Sequence, residues 1–332
     1  MDVLLAQARE AAAKTEPVTQ FRELYPDIIR GRTLHLDGDY LAYFAAGTDE
    51  TPAGVGIRIA RERIEQFRLM AGAEKVVVHL TSSGSDKGKR GLVAVTKPYQ
   101  ANRAGSTKPK NWSVLRNYLE TEDFVTFKRI IWDDREADDG IALYAHRSLN
   151  PVDEVVVCTR DKDMRMLAGT HIDWVTFELT VVPAGCYEVV RGDGKVFGNK
   201  FFYLQLLMGD TADNIPGLPL LFGKQCGAAR ASEYLKGTKT WEEAFERVSE
   251  AYKAYYNDDW EDRLVEQASL LYMRHTDDAD VASFLPLIPL HDAAIRLRRR
   301  IAKQEQTIAS ICDKASSREA EITAKELMSY HW

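Results

Sequence analysis

The chain has few cysteines and no long apolar run. Its 332 residues include four cysteines, which lie far apart and form no CxxC pair: Cys158, Cys186, Cys226 and Cys312. This spacing argues against a zinc ribbon and against a disulfide framework. No stretch approaches the roughly 20 apolar residues of a membrane span. The first residues carry no basic region ahead of an apolar run, so we expect no secretory signal and a cytoplasmic protein.

The formal net charge of -6 is also small, but it hides an uneven distribution. Residues 82 to 118, here called the basic segment, hold eight basic residues and one acidic residue, Asp86. The basic residues are Lys87, Lys89, Arg90, Lys97, Arg103, Lys108, Lys110 and Arg116. A local concentration of positive charge can guide a polyanion such as nucleic acid. It is equally consistent with a solvated loop.

The order of predicted elements divides the chain into three parts. Residues 1–30 are predicted to be an N-terminal helical extension, and residues 31–205 alternate strands with helices. Such alternation favours an α/β fold with a mainly parallel central sheet and flanking helices. Residues 206–332 are predicted to be helical, with a charged C-terminal tail.

Carboxylates collect after the predicted strands. Nine acidic residues occur beside Gly, Ala or Asn or at strand ends: Asp37, Asp39, Glu136, Asp138, Asp139, Asp161, Asp163, Asp210 and Asp213. Ligands of open α/β sheets bind at the carboxyl ends of the strands, where Asp37 and Asp161 fall. Crowded carboxylates take up protons or bind a cation, and oxygen ligands select Mg²⁺ or Mn²⁺. Two such ions roughly 4 Å apart promote phosphodiester hydrolysis.

Five motifs in this order resemble the flap endonuclease and 5′-3′ exonuclease family, which includes phage 5′ exonucleases and the 5′ nuclease domain of bacterial DNA polymerase I. The motifs are LHLDGD (34–39), PYQANR (98–103), EADD (136–139), VVVCTRDKDMRML (155–167) and MGDTADNIPGLP (208–219). The resemblance spans about residues 34 to 235. It implies a PIN-like 5′ nuclease core followed by a helix-hairpin-helix subdomain.

The resemblance also assigns the acidic residues to two metal ions. It implies that Asp37, Glu136, Asp138 and Asp139 serve the first ion, with Asp39 as a weaker candidate. It implies that Asp161, Asp163, Asp210 and Asp213 serve the second, some of them through water. The reaction implied is cleavage of DNA near a 5′ end, at flaps or on RNA primers, and replication proteins are possible partners.

Substrate contacts are implied by the same resemblance. The basic segment would form the arch that admits a 5′ single strand, with Tyr99 stacking on the substrate and Arg103 clamping it. The residues Lys89, Arg90, Lys97 and Gln100 would also meet the phosphates. Gly217 and Lys224 match the hairpin that holds duplex phosphates, with a K⁺ ion at the hairpin carbonyls.

Three positions depart from the family pattern. Gln100 stands where many relatives carry a phosphate-contacting lysine, and Thr81 stands where relatives usually place an aspartate. In the hairpin pattern GxxGxGxK, Leu220 and Phe222 take glycine positions and Gly223 is shifted by one. These departures bear on phosphate activation, on the first metal and on the K⁺ ion.

Two other functions fit parts of the pattern. A haloacid-dehalogenase-type phosphatase would use Asp37 and Asp39 as its DxD pair, with Asp210 and Asp213 as a distal metal motif. That hypothesis leaves EADD and TRDKD unexplained. A catalytically silent protein that binds DNA junctions would keep the basic segment and the hairpin without cleavage.

Overall fold

The computed structural model describes residues 25–103, 105, 107–122 and 127–329, with side chains of the last helix described up to residue 313. Residues 1–24, most of the predicted N-terminal extension, lie outside this part. No helix among the described residues is long and apolar enough to cross a membrane. The chain forms two compact units. Unit 1 comprises Met1–Ser83, Thr107–Trp132 and Glu136–Cys186, and unit 2 comprises Gly84–Ser106, Asp133–Arg135 and Tyr187–Trp332.

A six-stranded sheet forms the centre of unit 1, in the spatial order β3-β2-β1-β4-β5-β6. Its strands are β1 (Ile29–Asp37), β2 (Ala73–Thr81), β3 (Lys128–Trp132), β4 (Val155–Thr159), β5 (Gly169–Asp173) and β6 (Leu179–Val182). The neighbours are parallel except for β5 and β6, which are antiparallel. The apolar residues of β2 and β4 are buried, and so are Leu34 and Leu36 of β1, as expected for parallel strands covered on both faces.

Four helices of unit 1 accompany this sheet. They are α1 (Gly38–Ala46), α2 (Ala53–Met70), α3 (Trp112–Thr121) and α4 (Ala137–Arg147). Helix α1 begins directly after β1, at Gly38. A Cβ atom on Gly38 would lie 2.6 Å from the carbonyl oxygen of His79, so only glycine fits between β1 and β2 there.

The strand order reverses between β1 and β4. The chain passes from β1 to β2 and β3 on one side, and then returns to β4 on the other side of β1. The carboxyl ends of β1 and β4 are therefore neighbours at the position where open α/β sheets bind ligands. Asp37 ends β1, and Asp161 follows β4 by two residues.

Unit 2 is mainly helical. Its elements are the short strands β7 (Val189–Val190), β8 (Val196–Phe197), β9 (Leu220–Leu221) and β10 (Lys224–Gln225), and the helices α5 (Asn199–Met208), α6 (Ala228–Tyr234), α7 (Trp241–Tyr256), α8 (Trp260–Leu271) and α9 (His291–Ser329). Strands β9 and β10 form an antiparallel hairpin between α5 and α6. The predicted fold class, a mainly parallel sheet with flanking helices followed by a helical part, is confirmed.

Candidate functional site

Asp37 is held at the start of α1 by its neighbours at the sheet edge. Its Oδ1 atom accepts a hydrogen bond from the backbone N–H of Tyr40 at 3.0 Å. Its Oδ2 atom accepts one from the Thr159 hydroxyl at 2.9 Å, and that hydroxyl oxygen accepts from the backbone N–H of Asp161, also at 2.9 Å. Thr159 thus joins the loop after β4 to the end of β1.

The EADD motif lies at the N-terminus of α4. Glu136 is the residue that caps this helix, and Asp138 and Asp139 lie in its first turn. The Thr81 hydroxyl accepts a hydrogen bond from the backbone N–H of Ala137 at 2.9 Å. The position where relatives usually carry an aspartate therefore fixes the start of the helix in this chain. Asp139 is fully buried, whereas Asp138 is half-buried.

The electrostatics show which carboxylates of unit 1 lie close together. Burial, together with the neighbouring charges of Asp39 and Asp161, raises the pKa of Asp37 to about 7, against the hydrogen bonds just described. Burial also raises the pKa of Asp138 well above its usual value, with added repulsion from Asp161, Asp37, Glu136 and Asp39. Five predicted site residues thus form one cluster in unit 1, here called the carboxylate cluster: Asp37, Asp39, Glu136, Asp138 and Asp161.

Asp39 has an arginine partner. Its Oδ1 atom accepts hydrogen bonds from Arg116 and, at 3.2 Å, from the backbone N–H of Thr81. Arg116 also donates to the Thr81 carbonyl oxygen and to Glu120. The second carboxylate of the DxD pair in the phosphatase hypothesis is therefore held in an ion pair with Arg116.

Asp163 lies at the start of a short 3₁₀ turn after β4. Its backbone N–H donates to Asp161 Oδ1 at 2.8 Å, and its side chain is buried. The TRDKD segment therefore turns back on itself at the carboxyl edge of the sheet. The fixed loop presents Asp161 to the carboxylate cluster.

In unit 2, Asp210 and Asp213 lie in a tight loop after α5. The backbone of Asp210 pairs with that of Ile215 at 2.7 and 2.8 Å, and the Asp210 carboxylate accepts from Ala212 N–H at 2.9 Å. Gly209 and Gly217 close the base of this loop, since a Cβ atom on Gly217 would lie 2.2 Å from the backbone nitrogen of Gly209. Both carboxylates are buried.

The PYQANR motif surrounds Asp213 within the same unit. The Tyr99 hydroxyl donates to Asp213 Oδ2 at 3.2 Å, and the Gln100 amide donates to Oδ1 at 3.0 Å. Arg103 forms an ion pair with Oδ1. Lys87 donates to the side-chain oxygen of Gln100 at 2.5 Å, so its ammonium group lies beside Gln100.

Other predicted substrate contacts have different surroundings. Arg90 is buried, and its guanidinium donates to the carbonyl oxygens of Leu270 and Tyr272 at 3.1 and 3.2 Å. Lys89 pairs with Glu305 at 2.6 Å. Lys97 is exposed.

The two hairpin residues also differ in exposure. Gly217 is buried, and its N–H donates to the Gln267 side-chain oxygen at 2.9 Å. Lys224 is exposed in β10. The hairpin thus presents Lys224 to solvent, whereas the backbone N–H of Gly217 is occupied inside unit 2.

Sequence reasoning did not identify Thr159, or the roles of Arg116 and Lys87. Thr159 is the first residue of TRDKD, two positions before Asp161, so its place in the motif was the available signal. Arg116 and Lys87 were grouped by charge alone with the basic segment. Only their contacts separate them, with Asp39 in unit 1 for Arg116 and with Gln100 in unit 2 for Lys87.

No protein-family model matches the chain. Among curated proteins, it is 24% identical over 198 residues to a 5′-3′ exonuclease of Buchnera aphidicola, covering 58% of this chain and 66% of that protein. It is 36% identical over 86 residues to DNA polymerase I of Bacillus caldotenax, covering 25% of this chain and 10% of that protein. The chain thus spans just under two thirds of the exonuclease and a tenth of the polymerase.

Two solved structures share the fold. T5 5′-exonuclease with bound divalent metal ions (zinc) superposes with a TM-score of 0.52 and 18% identity, covering 82% of this chain and 99% of that chain. The T5 D15 protein co-crystallised with metal ions gives a TM-score of 0.50 and 17% identity, covering 82% of this chain and 98% of that chain. At these identities the likeness shows the fold.

Proposed function

Because its sequence and fold resemble the flap endonuclease and 5′-3′ exonuclease family, we propose that this chain is a divalent-metal-dependent nuclease that hydrolyses DNA phosphodiesters at 5′ ends and flaps. The observation that carries the proposal is the carboxylate cluster at the edge of the sheet between β1 and β4, where the strand order reverses. Burial and mutual repulsion raise the pKa values of Asp37 and Asp138 there. A bound cation relieves the repulsion among such carboxylates.

The donor set fits a hard divalent ion. The cluster offers carboxylate oxygens on fixed elements, the ends of β1 and β4 and the first turn of α4. Oxygen donors of this kind favour Mg²⁺ or Mn²⁺. The divalent metal ions (zinc) bound in the T5 5′-exonuclease structure support, by analogy, a divalent cation at this kind of site.

We propose two ions. The first would be held by Asp37, Glu136, Asp138 and Asp139. The second, from the family resemblance, would be served by Asp161, Asp163, Asp210 and Asp213. Bound divalent ions supply charge neutralisation and activation of water for phosphoryl transfer.

The protein's own residues orient these groups. Thr159 and Tyr40 hold the Asp37 carboxylate, and Thr81 holds the start of α4. Arg116 neutralises Asp39, which limits the repulsion that Asp37 experiences. The ligands are therefore positioned by the fold before a metal binds, which lowers the cost of assembling the site.

For substrate contacts we propose Tyr99, Gln100, Arg103 and Lys97, together with Lys89 near the start of the basic segment. Arg103 and Tyr99 share one anchor, Asp213, so the PYQANR motif has a defined shape in the absence of DNA. Arg90 is omitted because its guanidinium is buried on backbone carbonyls. Gly217 is not proposed either, because its backbone N–H already donates to the Gln267 side chain.

The potassium ion is not part of the proposal. Leu220 and Phe222 stand at glycine positions of the hairpin pattern on which that ion depends. Lys224 remains the proposed hairpin contact to duplex phosphates. The proposed substrates are DNA with free 5′ ends or flaps, and RNA primers. We propose replication proteins as partners and the cytoplasm as the location.

The test is digestion of a 5′-labelled flap duplex and a blunt duplex with Mg²⁺, Mn²⁺ or EDTA, with the products resolved by length. We expect short 5′ products with either metal and none with EDTA. Binding without cleavage in every metal would replace this proposal by the silent junction binder. Loss of label as inorganic phosphate alone would favour the phosphatase.

A further inference from the structure

The β9-β10 hairpin of unit 2 has an unusual turn. Its two-residue loop is Phe222-Gly223, and both residues have positive φ, 48° and 77°. Two positive φ values are the pattern of a type I′ turn, for which Asn-Gly is preferred and a bulky first residue is unfavourable. A strained conformation at a bulky residue is retained when the residue is needed where it stands.

The phenylalanine ring is displayed rather than buried. Its side chain is 57% exposed, and Leu220 beside it in β9 is 40% exposed. The Phe222 ring packs edge to face on Tyr234 of α6, with the ring centroids 5.5 Å apart. Tyr234 is fixed in turn, because its hydroxyl donates to the Arg247 carbonyl at 2.9 Å and Arg247 donates back to the Tyr234 carbonyl at 2.6 Å. The ring therefore projects in a defined orientation.

The surroundings of the tip are basic. Residues 217–239 contain four basic residues, Lys224, Arg230, Lys236 and Lys239, and one acidic residue, Glu233, in a chain whose net charge is -6. Glu233 is paired with Lys236 at 3.5 Å. Beside the hairpin lies an open groove of about 880 Å³ whose lining includes Gly227, Ala228, Ala229 and Arg230. Small side chains next to cations allow close approach of a phosphate backbone.

We propose that Phe222 is an apolar wedge that inserts into the minor groove of a nucleic-acid duplex, while Lys224 and Arg230 meet the flanking phosphates. The inference rests on the proposed function and names its duplex contact. A projecting two-residue turn fits a groove, and phenylalanine is among the side chains that proteins insert between base steps there. A flat stacking platform for single strands would need a different surface.

One variant separates the contribution of the Phe222 ring to DNA binding from its effect on folding. Phe222→Asn places the preferred Asn-Gly pair in the turn, so the variant should be at least as stable as the wild type in thermal unfolding. Phe222→Trp keeps an aromatic ring. Val190→Asn, at another exposed apolar position of unit 2, is the matched control.

The experiment measures dissociation constants by fluorescence anisotropy in EDTA, for a flapped duplex and for the flap strand alone. Phe222→Asn should bind the duplex between about 5- and 100-fold more weakly, by analogy with loss of one aromatic-base contact. Its binding of the single strand should be unchanged, and Phe222→Trp and Val190→Asn should resemble the wild type.

Unchanged duplex affinity of Phe222→Asn would overturn the inference, as would an equal loss on the single strand or in Val190→Asn. Failure of the proposed function has a different signature, namely no metal-dependent cleavage by the wild type. If the wild type cleaves in the presence of metal but Phe222→Asn binds the duplex like the wild type, only the wedge inference is rejected. Ring-dependent duplex binding without cleavage supports the wedge and removes only the nuclease.

Discussion

Arg116 joins Asp39 to the end of strand β2, because its guanidinium donates to the Asp39 carboxylate and to the carbonyl oxygen of Thr81. The arginine is only 9% exposed. It thus supplies positive charge beside the carboxylate cluster without reaching solvent. Replacing it would leave Asp39 to add fully to the repulsion on Asp37.

The first prediction therefore concerns Arg116→Met. We expect a loss of about 2 kcal/mol in the free energy of unfolding, since hydrogen bonds from a charged donor to Asp39, Thr81 and Glu120 disappear. Urea denaturation measures it. The control is Arg58→Met, whose exposed i,i+4 pair with Glu62 spans 3.8 Å. That change should stay within about 0.5 kcal/mol, and equal losses would refute the role of Arg116.

The second prediction uses two glycines with opposite surroundings. In Gly38→Ala, the new Cβ atom would lie 2.6 Å from the His79 carbonyl oxygen. We expect destabilisation by about 1–3 kcal/mol through overpacking between β1 and β2. In Gly54→Ala, at an exposed position of helix α2, nothing lies within 4 Å of the new Cβ atom. This change should stabilise by about 0.4–1 kcal/mol. Chemical unfolding of both variants should give opposite signs, and like signs would contradict the described packing.

The third prediction concerns metal binding and pH. The pKa of Asp37 is raised from 3.8 to about 7 in the folded protein, so the folded state holds a proton that the unfolded state releases. The free energy of unfolding of the metal-free protein should therefore fall as the pH rises from 3.8 to about 7. A divalent cation replaces the proton. Mg²⁺ should raise the melting temperature more at about pH 8 than at about pH 6.

Differential scanning fluorimetry with Mg²⁺ or EDTA measures that shift. Asp138→Asn removes a carboxylate whose ionisation is opposed by burial and by its acidic neighbours, so its metal-free form should be more stable near neutral pH and its Mg²⁺ shift smaller. The matched control is Asp258→Asn, at an exposed position of unit 2. It should retain the wild-type shift. A pH-independent Mg²⁺ shift would contradict the electrostatic account of the cluster.

The fourth prediction concerns His171. Burial lowers its pKa from 6.5 to about 4, and its Nε2 atom lies 3.0 Å from the Leu167 carbonyl oxygen. The unfolded state binds a proton that the folded state excludes, so stability is lost as the pH falls from 6.5 to about 4. Over that range, His171→Gln should lose about 3 kcal/mol less than the wild type. Parallel pH profiles for the two proteins would refute it.

Part of the site could be predicted from sequence because regular structure dictates it. The alternation of strands with helices predicts parallel strands, and parallel strands bring Asp37 and Asp161 to one edge of the sheet. The same reasoning fails in the basic segment, whose residues are separated by contacts distant in sequence. Arg90 is buried on carbonyls about 180 residues away, those of Leu270 and Tyr272. Local composition cannot encode such partners.

Thr81 shows a second limit of sequence reasoning. Its difference from the usual aspartate was visible, but its consequence depended on where α4 begins. The hydroxyl caps that helix through Ala137 N–H, so the residue positions the EADD motif without contributing a carboxylate. Its structural role follows from a hydrogen bond between β2 and α4, which spacing in the sequence does not specify.

The most direct test of the carboxylate cluster as a metal-dependent hydrolytic centre is single-turnover cleavage of a 5′-labelled flap duplex in Mg²⁺ by the wild type, Asp138→Asn and Asp258→Asn. We predict that Asp138→Asn lowers the rate more than about 100-fold, beyond the usual effect of residues that only support a ligand, while still binding the DNA. Asp258→Asn should cleave like the wild type. Wild-type rates for Asp138→Asn would contradict the account.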